Sequence, residues 1–152
     1  MLRVSRLDAL TGLPTHEALL DAIDAPTVAV FFDIDAFRIV TDEHGHLTSD
    51  DILARLGVWL AGQAQAFRVA GDEFVLLLPG STLAEAQEIA KRMMMSVASL
   101  PLPHAITLSA VVFCMHRMER TAFRGLLDDF AEKLYRAELA SGRDRSNIVV
   151  SE

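Results

Sequence analysis

The chain has 152 residues, 51% of them apolar and 23% charged, which fits one folded domain with a real core and excludes a disordered or collagen-like chain. Lys+Arg number 14 against 21 Asp+Glu, a formal charge of −7, and so acidic a surface repels a phosphate backbone, so no general nucleic-acid binding is expected. The single cysteine, Cys114, cannot close an intramolecular disulfide, no apolar run nears the ~18 residues a bilayer span needs, and the first residues lack a signal peptide's apolar core; the chain therefore reads as cytoplasmic, with no membrane segment.

An opening helix leads into residues 27–33, a β-rich run apolar on both alternating sides, which predicts a central strand covered on both faces. Residues 48–63 are predicted helical, with Thr48 and Asp51 in a capping-box pattern and Ile52, Leu53, Leu56, Trp59 and Leu60 on one face. Two β-rich runs, 66–69 and 73–79, flank Ala70-Gly71-Asp72 and predict a hairpin. Thr82 and Glu85 form a second capping box that opens a helix, with Leu83, Ala86, Ile89, Ala90, Met93 and Val97 facing inward. A strand near 105–113, a helix over about 122–140 capped by Gly142 and a short edge strand at 147–150 complete the order. The implied fold is an α/β (α+β) sandwich, one domain over 1–152, with a mixed, mostly antiparallel sheet and helices on both faces.

The chemistry concentrates where the central strand runs out. Asp33 and Asp35 bracket Ile34, and Asp72-Glu73 interrupts an apolar hairpin. Strand alternation predicts that only one of Asp72 and Glu73 faces Asp33 squarely. Clustered carboxylates repel, and a cation among them lets them stay ionised; an oxygen-only set suits Mg²⁺ or Mn²⁺. Taken singly, each of these acids is as well read as a turn residue at a strand end.

Read together, six segments in order resemble the GGDEF domain of diguanylate cyclases, in an AGDEF variant. They are Asp8-Ala-Leu-Thr-Gly-Leu-Pro14, Asp33-Ile-Asp-Ala-Phe-Arg38, Gly45-His-Leu-Thr-Ser-Asp50, Arg68-Val-Ala-Gly-Asp-Glu-Phe74, Thr107-Leu-Ser109, and Ala131-Glu132 with Gly142-Arg143. The resemblance spans about residues 6–150 and implies a nucleotide-cyclase, polymerase-palm-like fold. It implies that Asp33, the Ile34 carbonyl, Asp72 and Glu73 hold two Mg²⁺ (or Mn²⁺) per active site. Asp72, Glu73 and Arg38 are then the catalytic set. Backbone N–H groups around Asp35, Ala36 and Phe37 cradle a triphosphate, Asp50 and Thr41 read the guanine, Leu10 and Leu53 wall the base, and Arg143 binds phosphate. The implied reaction joins two GTP into cyclic di-GMP with release of pyrophosphate across a homodimer. A sensory domain, usual before such a domain in the family, is expected to be absent from this chain.

The departures are specific. Ala70 replaces the first signature glycine, at a cost of about 1 kcal/mol if the turn needs positive φ there. Thr41 replaces a guanine-reading Asn and lacks the amide's donor–acceptor pair, so guanine selectivity should soften. The phosphate lysine near the C-terminus is missing: an ungapped match puts Leu139 there, a shifted one Glu138, and the ungapped match is preferred because an insertion would rotate the helix face. Thr15-His16, Ser49 and Val111 differ as well, and residues 61–64 lack the inhibitory RxxD. An alternative reading is a catalytically weak or silent domain that binds GTP or cyclic di-GMP as a regulatory module.

Other residues read more plainly. His44 and His46 belong to a solvated loop, Met93-Met94-Met95 to helix core filling, and Cys114 has no His or Asp companion that would make it a nucleophile.

Overall fold

The computed structural model describes residues 6–152. Its centre is β1 (Thr27–Ile34), whose alternating side chains feed two separate cores. β1 lies between β3 (Glu73–Leu77) and β4 (Leu108–Met115), with β2 (Gln65–Ala70) outside β3 and β5 (Ile148–Ser151) outside β4. All pairings are antiparallel except β4–β5, which is parallel. This is the mixed, mostly antiparallel sheet expected from sequence.

One face packs on α3 (His46–Gln63) and α4 (Leu83–Ser96), where Val30, Phe32, Leu76 and Val112 meet Ile52, Leu56, Ala90 and Met93. The other packs on α1 (His16–Ala22) and α5 (Arg120–Ser141), where Phe31, Val75 and Phe113 meet Leu19, Phe123 and Phe130. The Phe130 ring lies 5.4 Å from Phe31 and 4.7 Å, edge-on, from Phe113. That triad locks α5 over the end of β1, and truncating so buried a ring typically costs about 3–5 kcal/mol.

Local signals succeeded where side chains cap the backbone. Thr82 Oγ accepts from the Glu85 N–H (3.1 Å) while the Glu85 carboxylate accepts from the Thr82 N–H (3.2 Å). Gly142 closes α5 in the left-handed region at φ 65°, as a C-cap glycine does.

Elsewhere the structure corrects the reading. A helix absent from the sequence prediction, α2 (Phe37–His44), follows β1 directly. Gly45, at φ 87°, ends α2 and begins α3. α3 therefore starts at His46, Thr48 lies inside it, and the Thr48/Asp51 box does not form; Asp51 pairs with Arg55 instead at 3.0 Å. Positive φ at Gly45 turns the chain without a side-chain cap, so capping chemistry misplaced the start. β4 begins at Leu108, later than expected, and Thr107 just before it is bonded to Asp35 through both its carbonyl and its hydroxyl. Among the three methionines, Met93 is core but Met95 is exposed. Gly57 lets α3 approach the N-terminal loop: a Cβ there would stand 2.8 Å from the Thr11 Cβ.

Candidate active site

β1 delivers Asp33 and Ile34 to one end of the sheet. Asp33 stands directly across from Glu73 in the β1–β3 ladder, and the Ile34 N–H donates to the Asp72 carbonyl at 3.2 Å. Asp72 belongs to the turn between β2 and β3, so strand alternation does not govern it. Both Asp72 and Glu73 therefore bear on Asp33, against the expectation that only one could. Burial pushes the Asp33 carboxyl up to about 8, reinforced by the Asp72 and Glu73 charges, an Asp72 carboxyl within hydrogen-bonding reach, and Asp35. Burial also raises Glu73, helped by Asp72 and Asp128. Such a cluster holds a proton or a cation at neutral pH.

The turn is held from behind by Arg68. Its Nε and Nη2 donate to the Gly71 carbonyl at 3.0 and 2.8 Å, and its Nη1 lies 3.0 Å from both Asp8 oxygens. Asp8 also accepts from the Thr11 N–H (2.9 Å) and hydroxyl (2.7 Å). Burial opposes ionisation of Asp8, but the Thr11 bonds and Arg68 outweigh it and leave its carboxyl below the usual range. The Asp8–Pro14 segment and the signature turn are thus one hydrogen-bonded unit. Ala70 is not among the positive-φ residues of the described chain, so the strain considered for it is absent.

Beside Asp33 the chain bends through Ala36, left-handed at φ 50°, into α2. The N–H groups of Phe37 and Arg38, in the first turn of α2, have no intrahelical acceptor and can meet an anion. Arg38 is exposed. The Asp35 N–H, expected in this cradle, instead donates to the Thr107 carbonyl at 3.0 Å.

At the corner between α2 and α3, Thr41 Oγ lies 2.6 Å from Ser49 Oγ and donates to the Phe37 carbonyl at 3.2 Å. Asp50, the next residue on α3, is exposed; Leu53 is buried, and Leu10 packs against the same core.

A cavity of about 200 Å³ opens beside the acids, walled by Asp33, Ile34, Ala36, Tyr135, Glu138 and Asp144 among others. Glu138 is among the residues lining it and the exposed Leu139 is not. Arg143 is exposed and outside the cavity wall, although its neighbour Asp144 lines it. Glu73 also borders a second cavity, of about 260 Å³, with His16, Arg120, Arg124 and Asp128. Sequence reading gave Asp128 no place near the acids and reached Glu138 only through a shifted match; the i, i+3, i+7, i+10 spacing of 128, 131, 135 and 138 puts both on one face of α5. The His44 ring packs at a tilt of 47° against His104, centroids 4.4 Å apart, rather than joining His46.

Among the described residues no three carboxylate or imidazole groups close on one point. Two carboxylates and a backbone carbonyl at Asp33, Asp72 and Ile34 nevertheless fit Mg²⁺, which commonly takes one or two carboxylates and completes its shell with water and substrate phosphate. The raised Asp33 is what such a donor set shows without the ion's charge.

The family model described as "Diguanylate cyclase, GGDEF domain" matches residues 5–145. Diguanylate cyclase DgcP of Pseudomonas aeruginosa is 29% identical over 160 aligned positions, covering 93% of this chain and 23% of that protein. Response regulator PleD of Caulobacter vibrioides is 32% identical over 114, covering 66% of this chain and 25% of that protein. The chain thus spans about a quarter of the length of these relatives. Among solved structures, the GGDEF domain of DgcB from Caulobacter crescentus, in complex with c-di-GMP, superposes with a TM-score of 0.76 at 22% identity, covering 100% of this chain and 97% of that one. Diguanylate cyclase SiaD of Pseudomonas aeruginosa, in complex with its activator SiaC, gives 0.76 at 26% identity, covering 97% and 62%. With the six motifs assembled at one end of a palm-like sheet, the chain belongs to the GGDEF domain family of diguanylate cyclases.

Proposed function

We propose that this chain condenses two GTP into cyclic di-GMP and two pyrophosphates, as a homodimer in which each protomer holds one nucleotide. The observation that carries the reading is the placement of Asp33 directly across from Glu73, with the turn carrying Asp72 bonded to Ile34, beside the first turn of α2. Asp33, the Ile34 carbonyl and Asp72 would hold divalent cations, with Glu73 beside a second. When bound, Mg²⁺ or Mn²⁺ lowers the 3′-hydroxyl pKa and neutralises charge on the α-phosphate and leaving pyrophosphate.

The chain's own work is positioning. The Phe37 and Arg38 N–H groups and the Arg38 guanidinium orient the triphosphate from one side, and Arg143 approaches from the 143–147 loop. Asp50 accepts from the guanine edge, Thr41 stands beside it, and Leu10 and Leu53 bound the ring. Each bond-forming step joins a 3′-oxygen of one nucleotide to the α-phosphorus of the other, with loss of the hydroxyl proton and departure of pyrophosphate; a second protomer brings the two nucleotides together.

The test is an assay at high protein concentration with GTP and Mg²⁺ or Mn²⁺, comparing wild type with Asp72→Ala and Glu73→Ala. Cyclic di-GMP from wild type, lost in both variants, supports the reading. GTP or cyclic di-GMP binding without turnover would instead assign the domain a regulatory binding role.

A further inference from the structure

Asp35 carries no role in the chemistry above, yet its side chain is among the most heavily bonded near the site. Its Oδ1 accepts from the Ser109 hydroxyl at 2.6 Å; its Oδ2 accepts from the Thr107 hydroxyl at 2.7 Å and the Ser146 N–H at 2.9 Å. Ser109 Oγ in turn accepts from the Asn147 N–H at 3.0 Å, and the Asn147 side-chain amide donates to the Arg143 carbonyl, also at 3.0 Å. The Asp35 N–H is bound to the Thr107 carbonyl. One carboxylate therefore ties together three segments distant in sequence: the end of β1, the start of β4 and the loop from Arg143 to Asn147.

Backbone geometry marks the same place. Among the described residues only two non-glycines have positive φ, Ala36 at 50° and Ser146 at 55°. Ala36 follows Asp35 in the chain, and Ser146 donates its N–H to the Asp35 carboxylate. Such conformations persist only where the surroundings over-determine them, and they gather at functional sites. Three charge-assisted bonds to one carboxylate supply that determination.

We propose that Asp35 is a positioning residue for the nucleotide's phosphates: through its carboxylate it fixes Ala36, and with it the first turn of α2, against the loop that presents Arg143. Asp35 touches no phosphate itself and acts through those two segments. The Thr107-Leu-Ser109 motif then has a defined task, supplying the two hydroxyls that hold Asp35. This inference rests on the nucleotide site proposed above.

The test uses the whole chain and two readouts. Amide hydrogen exchange over 143–148, measured without nucleotide, reads the tether; GTP affinity with Mg²⁺, measured by calorimetry, reads its consequence. Asp35→Asn should speed exchange in that segment at least about tenfold and weaken GTP by a similar factor, the scale of one lost charge-assisted bond. Thr107→Val removes a single donor without changing shape and should do the same to a smaller degree, whereas Thr107→Ser keeps the hydroxyl and should match wild type in both. Unchanged exchange in Asp35→Asn and Thr107→Val overturns the tether. Faster exchange with unaltered GTP affinity overturns its role in phosphate positioning. A wild type that binds no GTP sinks the nucleotide site itself, while the exchange arm still decides the tether.

Discussion

Thr41 and Ser49 face each other across the corner between α2 and α3, their hydroxyl oxygens 2.6 Å apart, with Thr41 also bonded to the Phe37 carbonyl. Ser49 is buried. The Thr41 hydroxyl is therefore already satisfied within the protein, and the Ser49 side chain stands directly against it. Both substitutions act on one spot, and neither is understood alone.

Base selectivity should follow from that pair. Thr41→Asn alone is expected to change the ratio of GTP to ATP affinity little, because Ser49 crowds the new amide. Thr41→Asn with Ser49→Gly should raise the ratio severalfold, up to about tenfold, the worth of one neutral hydrogen bond. Competition binding of the two nucleotides reads it, and equal ratios in all three proteins would show that the base is recognised elsewhere.

The acid cluster sets a pH dependence. In the metal-free fold Asp33 keeps its proton up to about pH 8, whereas in the unfolded chain it releases it near 3.8. Between those values the folded state holds more protons, so stability falls as pH rises, by up to about 1.4 kcal/mol per pH unit. Glu73 is shifted in the same direction and adds to the slope. Thermal unfolding from pH 5 to 8 should show Tm dropping in EDTA, a flatter curve with Mg²⁺, and a flatter one in Asp33→Asn without metal. A Tm that climbs with pH in EDTA contradicts this account.

Ala70 needs no repair. Its φ is not in the left-handed region, so Ala70→Gly relieves nothing and frees the unfolded chain instead. Loss of about 0.5–1 kcal/mol in a denaturant titration is expected, with no gain in nucleotide affinity. A stabilised, more active glycine variant would show that the turn changes shape when the site fills.

Glu138 is the acidic residue of α5 that lines the cavity holding Asp33, beside Ala131, Leu134 and Tyr135. Glu138→Lys replaces a repelling charge near the phosphates with an attracting one and should tighten GTP about tenfold or more. Leu139→Lys, pointing outward, should leave affinity as it was. Calorimetric titration of both variants decides which helix register meets the nucleotide, and the reverse ranking would favour the ungapped match.

Much of this was legible in the residues alone. The two-sided apolar run at 27–33, the Thr82/Glu85 capping box, the hairpin around residue 71 and the Gly142 cap are local signals, and the covalent chain determines them because strand alternation, capping bonds and turn chemistry involve neighbours in sequence. The acids Asp33, Asp72 and Glu73 stood out for the same reason, Asp33 at the end of an apolar strand and Asp72-Glu73 within an apolar hairpin.

What the tertiary structure alone decided concerns partners far apart in the chain. That Asp72 and Glu73 both bear on Asp33 depends on where a turn sits against the end of β1. That Glu138 and not Leu139 faces the site depends on how α5 is rotated by Phe123, Phe130 and Leu134 entering the core. That Thr41 is bound to Ser49, and Asp35 to Thr107, Ser109 and Ser146, depends on packing that brings separate segments within 3 Å. Hydrogen bonds and Coulomb forces act over a few ångströms of space, and only the packed fold turns distance along the chain into distance in space.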